Sequence, residues 1–172
     1  MIVYTDVITG DELFGDSFPV KEVDGIVFEV DSELATVQIA RDVEISDLAA
    51  PNGQQDQGAP AGSTTATVNN VLHIYQLQPV SLDKAAYTRR LKSYMKKVKA
   101  HLETTDPGRV EGFEKQASAY AKTILARFGD FQFYTGSSGD DDGMVALHGY
   151  REDGDTAYFV FWKDGLKANS FQ

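Results

Sequence analysis

Five consecutive residues, Tyr158-Phe159-Val160-Phe161-Trp162, are apolar on both faces of a pleated strand, and no surface-exposed element tolerates that pattern. The strand is therefore covered on both sides, or else it lines a partner groove. It closes a longer run, Phe131 to Leu166, in which β-branched and aromatic stretches alternate with Gly and Asp clusters, so the run reads as three strands joined by two turns. Asp153-Gly154 marks the second turn, between Met144–Glu152 and Ala157–Trp162, because Asp-Gly takes up the positive φ values that a two-residue hairpin requires.

The amino-terminal part continues in strands. Ile2–Asp6 and Glu12–Phe14 flank a Thr9-Gly10-Asp11 turn, and Phe18–Ala40 alternates Val20, Val23, Ile26, Phe28, Val30, Val37 and Ile39 with charges, turning at Asp24-Gly25. Residues 49–70 carry one charge and no aromatic side chain, with abundant Gly, Pro, Gln, Ser and Thr, which predicts a mobile loop. Val71–Gln78 returns to strand-like alternation until Pro79.

Two helices follow. Tyr87, Leu91, Tyr94, Val98 and Leu102 form one apolar stripe, with Ser81 as N-cap, Asp83 in the first turn and an end near Glu103, a length of about 35 Å. Asp106 as N-cap with Pro107 at N1 starts a second helix, whose stripe is Val110, Phe113, Ala117, Ala121, Ile124, Leu125 and Phe128, with Gly129 at C′. The short connection predicts an antiparallel hairpin over residues 81–128.

Charge is unevenly divided. The net charge is −10, yet residues 81–128 hold eleven of sixteen Lys and Arg and five of twenty-six Asp and Glu, which is +6 there and −16 elsewhere. The acidic balance argues against non-specific nucleic-acid binding, no specific nucleic acid is expected as a partner, and the basic hairpin suits an acidic protein or phosphate-rich surface. With 172 residues, 42% of them hydrophobic, one domain is expected, as a monomer. Zero Cys excludes disulfide-linked dimers, Cys-ligated zinc and thiol chemistry, and fits a reducing cytosol. With neither a signal-peptide pattern nor a membrane-span pattern, a cytoplasmic protein is expected.

The blocks Tyr134-Thr135-Gly136, Asp142-Gly143-Met144, Tyr150-Arg151-Glu152-Asp153-Gly154 and Phe161-Trp162-Lys163-Asp164-Gly165-Leu166 resemble the translationally controlled tumour protein (TCTP) family. Met1-Ile2-Val3-Tyr4, Asp6 and Asp11-Glu12-Leu13-Phe14 match that family's amino-terminal signature, so the resemblance runs the length of the chain. It implies an α+β fold, a β-tent core with an inserted antiparallel helical hairpin. It further implies a multi-partner regulator of growth with calcium binding and microtubule stabilisation. Asn52-Gly53-Gln54-Gln55-Asp56 departs from the family, lacking the Ser and Glu of its Asn-x-Ser-x-Glu-like loop signature.

On spacing alone, Asp6, Asp11, Glu12 and Asp16 read as solvated carboxylates that protect an edge strand. The resemblance makes Asp11 and above all Glu12 the contact residues for a Rheb-type small GTPase. Lys92, Lys96, Lys97 and Lys99 read first as a solvated face and, through the resemblance, as a dock for tubulin. The resemblance also implies a translation elongation factor and anti-apoptotic proteins as partners. Asp140, Asp141 and Asp142 lack EF-hand spacing and read as a solvated acidic turn; through the resemblance they are weak calcium candidates. No other cofactor is expected.

Catalytic patterns are sparse. His73 and His148 fall on expected strands and His101 on a helix, without H-E-x-x-H spacing, and Ser137-Ser138-Gly139 is not a nucleophile elbow. Related β-tent folds include methionine sulfoxide reductases, whose thiol chemistry a Cys-free chain cannot run. Bond-making catalysis is not expected; docking is, with nucleotide exchange on the GTPase, or a weak calcium buffer, as alternatives.

Overall fold

The computed structural model describes residues 1–39 and 64–170. In chain order its strands and helices are β1 (Ile2–Asp6), β2 (Glu12–Gly15), β3 (Val20–Val23), β4 (Val27–Ser32), β5 (Leu34–Ile39), β6 (Thr64–Asn69), α1 (Asn70–Tyr75), β7 (Gln78–Val80), α2 (Lys84–Thr105), α3 (Val110–Ala126), β8 (Gln132–Thr135), β9 (Ala146–Tyr150), β10 (Ala157–Trp162) and β11 (Leu166–Ser170). They fall into two compact units: Met1–Glu33 with the chain from Val71 onward, and Leu34–Asn70. Within the smaller unit β5 pairs antiparallel with β6, from Leu34↔Asn69 to Ile39↔Thr64.

The larger unit is built on β10. A six-stranded sheet runs β3-β4-β10-β9-β8-β7, and a three-stranded sheet runs β11-β1-β2. β10 is paired along its length with β4, from Ala157↔Ser32 to Trp162↔Val27, and on its other flank with β9. Tyr158 to Trp162 are all buried. Because successive side chains alternate, Phe161 stacks on Phe14 of β2 with ring centroids 4.5 Å apart, whereas Trp162 meets Tyr120 of α3 edge-on at 5.7 Å. Each such pair contributes roughly 0.5–1.5 kcal/mol beyond the area it buries. The both-faces-apolar pattern is thus a central strand between two layers.

α2 buries Tyr87, Tyr94, Val98 and Leu102, the stripe read from the sequence, while Leu91 stays half-buried. Tyr87 stacks on Phe133 of β8 at 5.1 Å. α3 buries Phe113, Ala117 and Ile124. Arg109, in the 3-10 turn Pro107–Arg109 between the helices, ties the hairpin to the sheet. Its Nε and Nη2 donate to the two carboxylate oxygens of Asp164 at 2.9 and 2.8 Å, Nη2 also to the Gly25 carbonyl at 2.9 Å, and Nη1 to Gln116 Oε1 at 2.7 Å. That carbonyl is presented by the β3–β4 turn, where Asp24 and Gly25 have φ of 55° and 71° and Ile26 N–H donates to Val23.

Several local expectations are corrected. Val71–Gln78 is not a strand: Asn70–Tyr75 is the helix α1, burying Val71 and Tyr75 at i and i+4, and a short apolar run cannot be told apart by period alone. His73 therefore lies on a helix, and Pro79 sits inside β7, the last strand of its sheet, where a missing N–H is tolerated. The N-cap of α2 is Asp83, not Ser81: its carboxylate accepts from Ala86 N–H, and the helix runs on to Thr105. Asp106 caps the 3-10 turn, not α3, which begins at Val110; Gly129 lies in a second 3-10 turn, Phe128–Asp130.

The Asp153-Gly154 connection is the six residues 151–156 rather than a two-residue turn. Arg151 N–H donates to Thr156, and the Asp153 carboxylate accepts from Asp155 and Thr156. Of the loop expected over 49–70, residues 49–63 lie outside the described residues, and Thr64–Asn69, rich in β-branched side chains, is β6. Among the described residues, no helix is long and apolar enough to cross a membrane.

Candidate functional site

The acidic amino-terminal strand, the acidic turn and the basic helix, read as separate features in the sequence, converge around one buried carboxylate. Asp6 ends β1 and is only 2% exposed. Its Oδ1 accepts from Ile8 N–H at 2.9 Å and from the Tyr94 hydroxyl of α2 at 3.0 Å, and its Oδ2 accepts from Met144 N–H at 2.7 Å. A buried carboxyl group is costly unless it is hydrogen-bonded, and these three donors reach both of its oxygens. The Tyr94 phenol is held well above its ordinary range by burial, then by the Asp6 charge and hydrogen bond, so it remains a donor.

From this hub the acidic turn is laid on the β1–β2 connection. Ser138 Oγ donates to Asp11 Oδ2 at 2.6 Å and accepts from Asp140 N–H at 3.3 Å. Asp140 in turn accepts from Asp142 N–H at its Oδ1, 2.8 Å, and from Gly143 N–H at its carbonyl, 3.0 Å. The approach at Asp11 is tight: a Cβ at Gly136 would lie 2.4 Å from Asp11 Oδ2. α2 closes over the turn, with Arg90 Nη2 donating to the Asp140 carbonyl at 3.0 Å and Nη1 lying 3.8 Å from Asp141. Lys97 Nζ is 2.5 Å from Asp142.

The structure thus brings together Asp11, Asp140, Asp141, Asp142 and Lys97, and leaves other candidates apart. Asp141 and Asp142 face cations of the chain's own helix, and among the described residues no three His, Cys, Asp or Glu side chains are grouped as a metal site would need. Glu12 is exposed on β2, an edge strand, and among the described residues its carboxylate makes no hydrogen bond or ion pair; its charge and that of Asp16, after burial, push the Tyr75 phenol up. Lys92 and Lys96 are exposed and have no ion-pair partner among the described residues, whereas Lys99 lies 3.0 Å from Glu114 of α3.

The histidines do not meet. His73 lies on α1, His101 on α2 and His148 on β9. His148 is buried among Tyr134, Tyr150 and Phe159, its Nδ1 has no hydrogen-bond partner among the described residues, and burial pushes its pKa down. The sequence reading missed Tyr94, Ser138 and Arg90 as members of the site and missed Asp6 as its centre. The partners that join them across the fold lie 50 to 138 positions away, so no local spacing signals the site.

Comparisons with known proteins agree with this architecture. Residues 1–167 match the family model described as "Translationally controlled tumour protein". A translationally-controlled tumor protein homolog of Schizosaccharomyces pombe is 46% identical over 171 residues, 99% of this chain and all of the relative. One of Yarrowia lipolytica is 49% identical over 168 residues, covering 97% and 98%. Among solved structures, a translationally controlled tumor-associated protein from S. pombe superposes with a TM-score of 0.83 at 46% identity, over 99% of this chain and all of that one. A Caenorhabditis elegans structure, 22% identical over the full length of both chains, shares the fold with a TM-score of 0.70.

Proposed function

The chain belongs to the translationally controlled tumour protein family, and from that premise we propose that it is a cytoplasmic regulatory protein that acts by docking on several partners. The Glu12 carboxylate on the β2 edge meets a Rheb-type small GTPase in growth control, and the basic face of α2 meets tubulin and stabilises microtubules. The observation that carries the GTPase reading is the contrast between neighbours: Asp11 is bound by Ser138, while the Glu12 carboxylate is exposed on an edge strand and has no partner among the described residues. A charge held at a set position on a stiff strand, with nothing of its own to pair with, is available to a cationic or hydroxyl group of a partner.

For tubulin, support comes from Lys92 and Lys96, which have no ion-pair partner among the described residues, whereas Lys97 and Lys99 are used within the chain. Calcium comes second: a cation at Asp140–Asp142 displaces Lys97 and Arg90, so it binds weakly and in competition with them.

The test loads the GTPase with fluorescent GDP and follows both binding and GDP release, comparing the native protein with Glu12→Val. Binding without faster release, lost in the variant, supports docking. Release accelerated by the native protein and not by the variant favours the exchange-factor reading, since exchange needs only preferential binding of the empty GTPase. If neither occurs, the GTPase reading fails.

A further inference from the structure

Between α2 and α3 lies an open cleft of about 490 Å³, floored by Leu91, Met95, Ala117, Ala121 and Leu125. It exists because α3 places Ala117, Ser118 and Ala121 where longer side chains would fill the gap between the helices. Leu91, Met95, Ala121 and Leu125 are only half-buried, so the hairpin leaves apolar surface open to water on a face that does not pack on the sheet.

The rim of this cleft is basic. Lys92, Lys96 and Lys99 come from α2 and Lys122 from α3, and the one acid, Glu114, is taken by Lys99 at 3.0 Å. Among the described residues, Lys92, Lys96 and Lys122 have no ion-pair partner, which leaves three free ammonium groups around an apolar floor. Their long stems extend that floor upward, and their heads ask for carboxylates.

We propose that this cleft docks an acidic amphipathic helix of a protein partner, which lies as a third helix against α2 and α3. The lining runs from Thr88 to Lys99 and from Phe113 to Leu125, spans of about 16 and 18 Å at the α-helical rise, or roughly three turns. That length accepts apolar anchors at i, i+3 or i+4, and i+7. A purely acidic extended tail satisfies the lysines and leaves the floor wet. A lipid carries one anionic head where the rim spreads its charges over two helices. The proposal rests on the reading of α2 as a dock for acidic proteins, and adds the apolar half of the recognition.

The probe is a synthetic, fluorescently labelled helical peptide of about four turns, with Leu at the three anchor positions and Glu on its flanks. Its companion has Ser in place of Leu and the same charge. Fluorescence anisotropy against the intact protein is expected to show the Leu peptide binding at least about tenfold more tightly than the Ser peptide, as burial of three apolar anchors requires. Filling the cleft with Ser118→Leu and Ala121→Leu is expected to remove that advantage and leave the Ser peptide unchanged. Lys92→Glu with Lys96→Glu and Lys122→Glu weakens both.

Equal binding of the two peptides to the native protein overturns the proposal without any variant, as does binding of anionic phospholipid vesicles with no binding of the Leu peptide. Tubulin co-sedimentation separates the two readings. If charge reversal abolishes it while cleft filling changes neither tubulin nor peptide binding, the basic dock stands and the cleft proposal falls. If the Leu peptide binds as expected and charge reversal leaves tubulin unaffected, the cleft stands and tubulin is not its partner.

Discussion

The Tyr94 hydroxyl of α2 donates to the buried Asp6 carboxylate of β1 across 3.0 Å, joining residues 88 positions apart and fastening the helical hairpin to the amino-terminal strand. Tyr94→Phe removes that donor while Ile8 and Met144 N–H still hold the carboxylate. A loss of roughly 1.5–3 kcal/mol is expected, the range for a hydrogen bond to a charged group. Asp6→Ala strands all three donors and is expected to cost more. Urea unfolding with both variants checks this, and an unchanged midpoint for Tyr94→Phe would refute it.

Arg109 is expected to matter far more than the lysines of α2. Its fork makes two bonds to Asp164 and one each to Gly25 and Gln116, so Arg109→Ala should cost roughly 2–4 kcal/mol, and Arg109→Lys should recover less than half because an ammonium cannot reproduce the fork. Lys97→Ala, removing a solvent-exposed ion pair, should cost less than about 1 kcal/mol. Comparable thermal shifts for Arg109→Ala and Lys97→Ala would show that the hairpin is not fastened through Arg109.

Acid sensitivity is expected at His148. Burial lowers its folded-state pKa below the ordinary 6.5, so as pH falls the unfolded chain takes up a proton that the folded chain resists. The contribution to stability is complete above about pH 6.5 and is lost as pH falls through the lower, folded-state value. His148→Phe, set among Tyr134, Tyr150 and Phe159, should flatten the stability profile between about pH 7 and 5. Parallel profiles for native protein and variant would exclude the effect.

At the alkaline end buried tyrosines matter. Burial raises Tyr75, Tyr87, Tyr94, Tyr120 and Tyr134 above the ordinary value of 10.0, so five of the eight should ionise late in the folded protein. These folded-state values lie above the unfolded one, so stability is full below about pH 10 and falls as pH rises beyond it. Part of the phenolate absorbance of the native protein should therefore appear at higher pH than in the denatured chain. Coincident titration curves for native and denatured protein would contradict the raised values of these five.

Tubulin co-sedimentation should fall with rising salt, since Lys92 and Lys96 are exposed and their attraction to an acidic partner is screened. Lys92→Glu with Lys96→Glu should abolish it, and Lys97→Ala should have the smaller effect because Lys97 already faces Asp142. Salt-independent co-sedimentation would remove the electrostatic basis of that dock.

Elements with a long, unambiguous period were legible in the chain: the stripe of α2, the two-sided burial of Tyr158–Trp162 and the Asp24-Gly25 turn all lie as the pattern predicts. Short segments were not. Val71–Tyr75 satisfies both a period of two and an i, i+4 spacing, and burial of Val71 and Tyr75 on one helical face decides between them. Asp83 rather than Ser81 caps α2 because capping depends on which side chain reaches a free N–H, not on which residue comes first.

What the sequence by itself determined is the family, the strand and helix faces and the division of charge, since each is carried by neighbours in the chain or by the order of matched blocks. What only the tertiary structure decided is how those charges are spent. Asp6 and Lys97 differ little as sequence from Glu12 and Lys96, yet the first two are consumed inside the protein and the last two face outward. The difference lies in partners many positions away, among them Tyr94, Met144 and Asp142, which the fold alone brings within hydrogen-bonding distance. A carboxylate or an ammonium becomes a structural tie or a docking group according to whether a partner of opposite character is within about 3 Å, and that distance is a property of the fold.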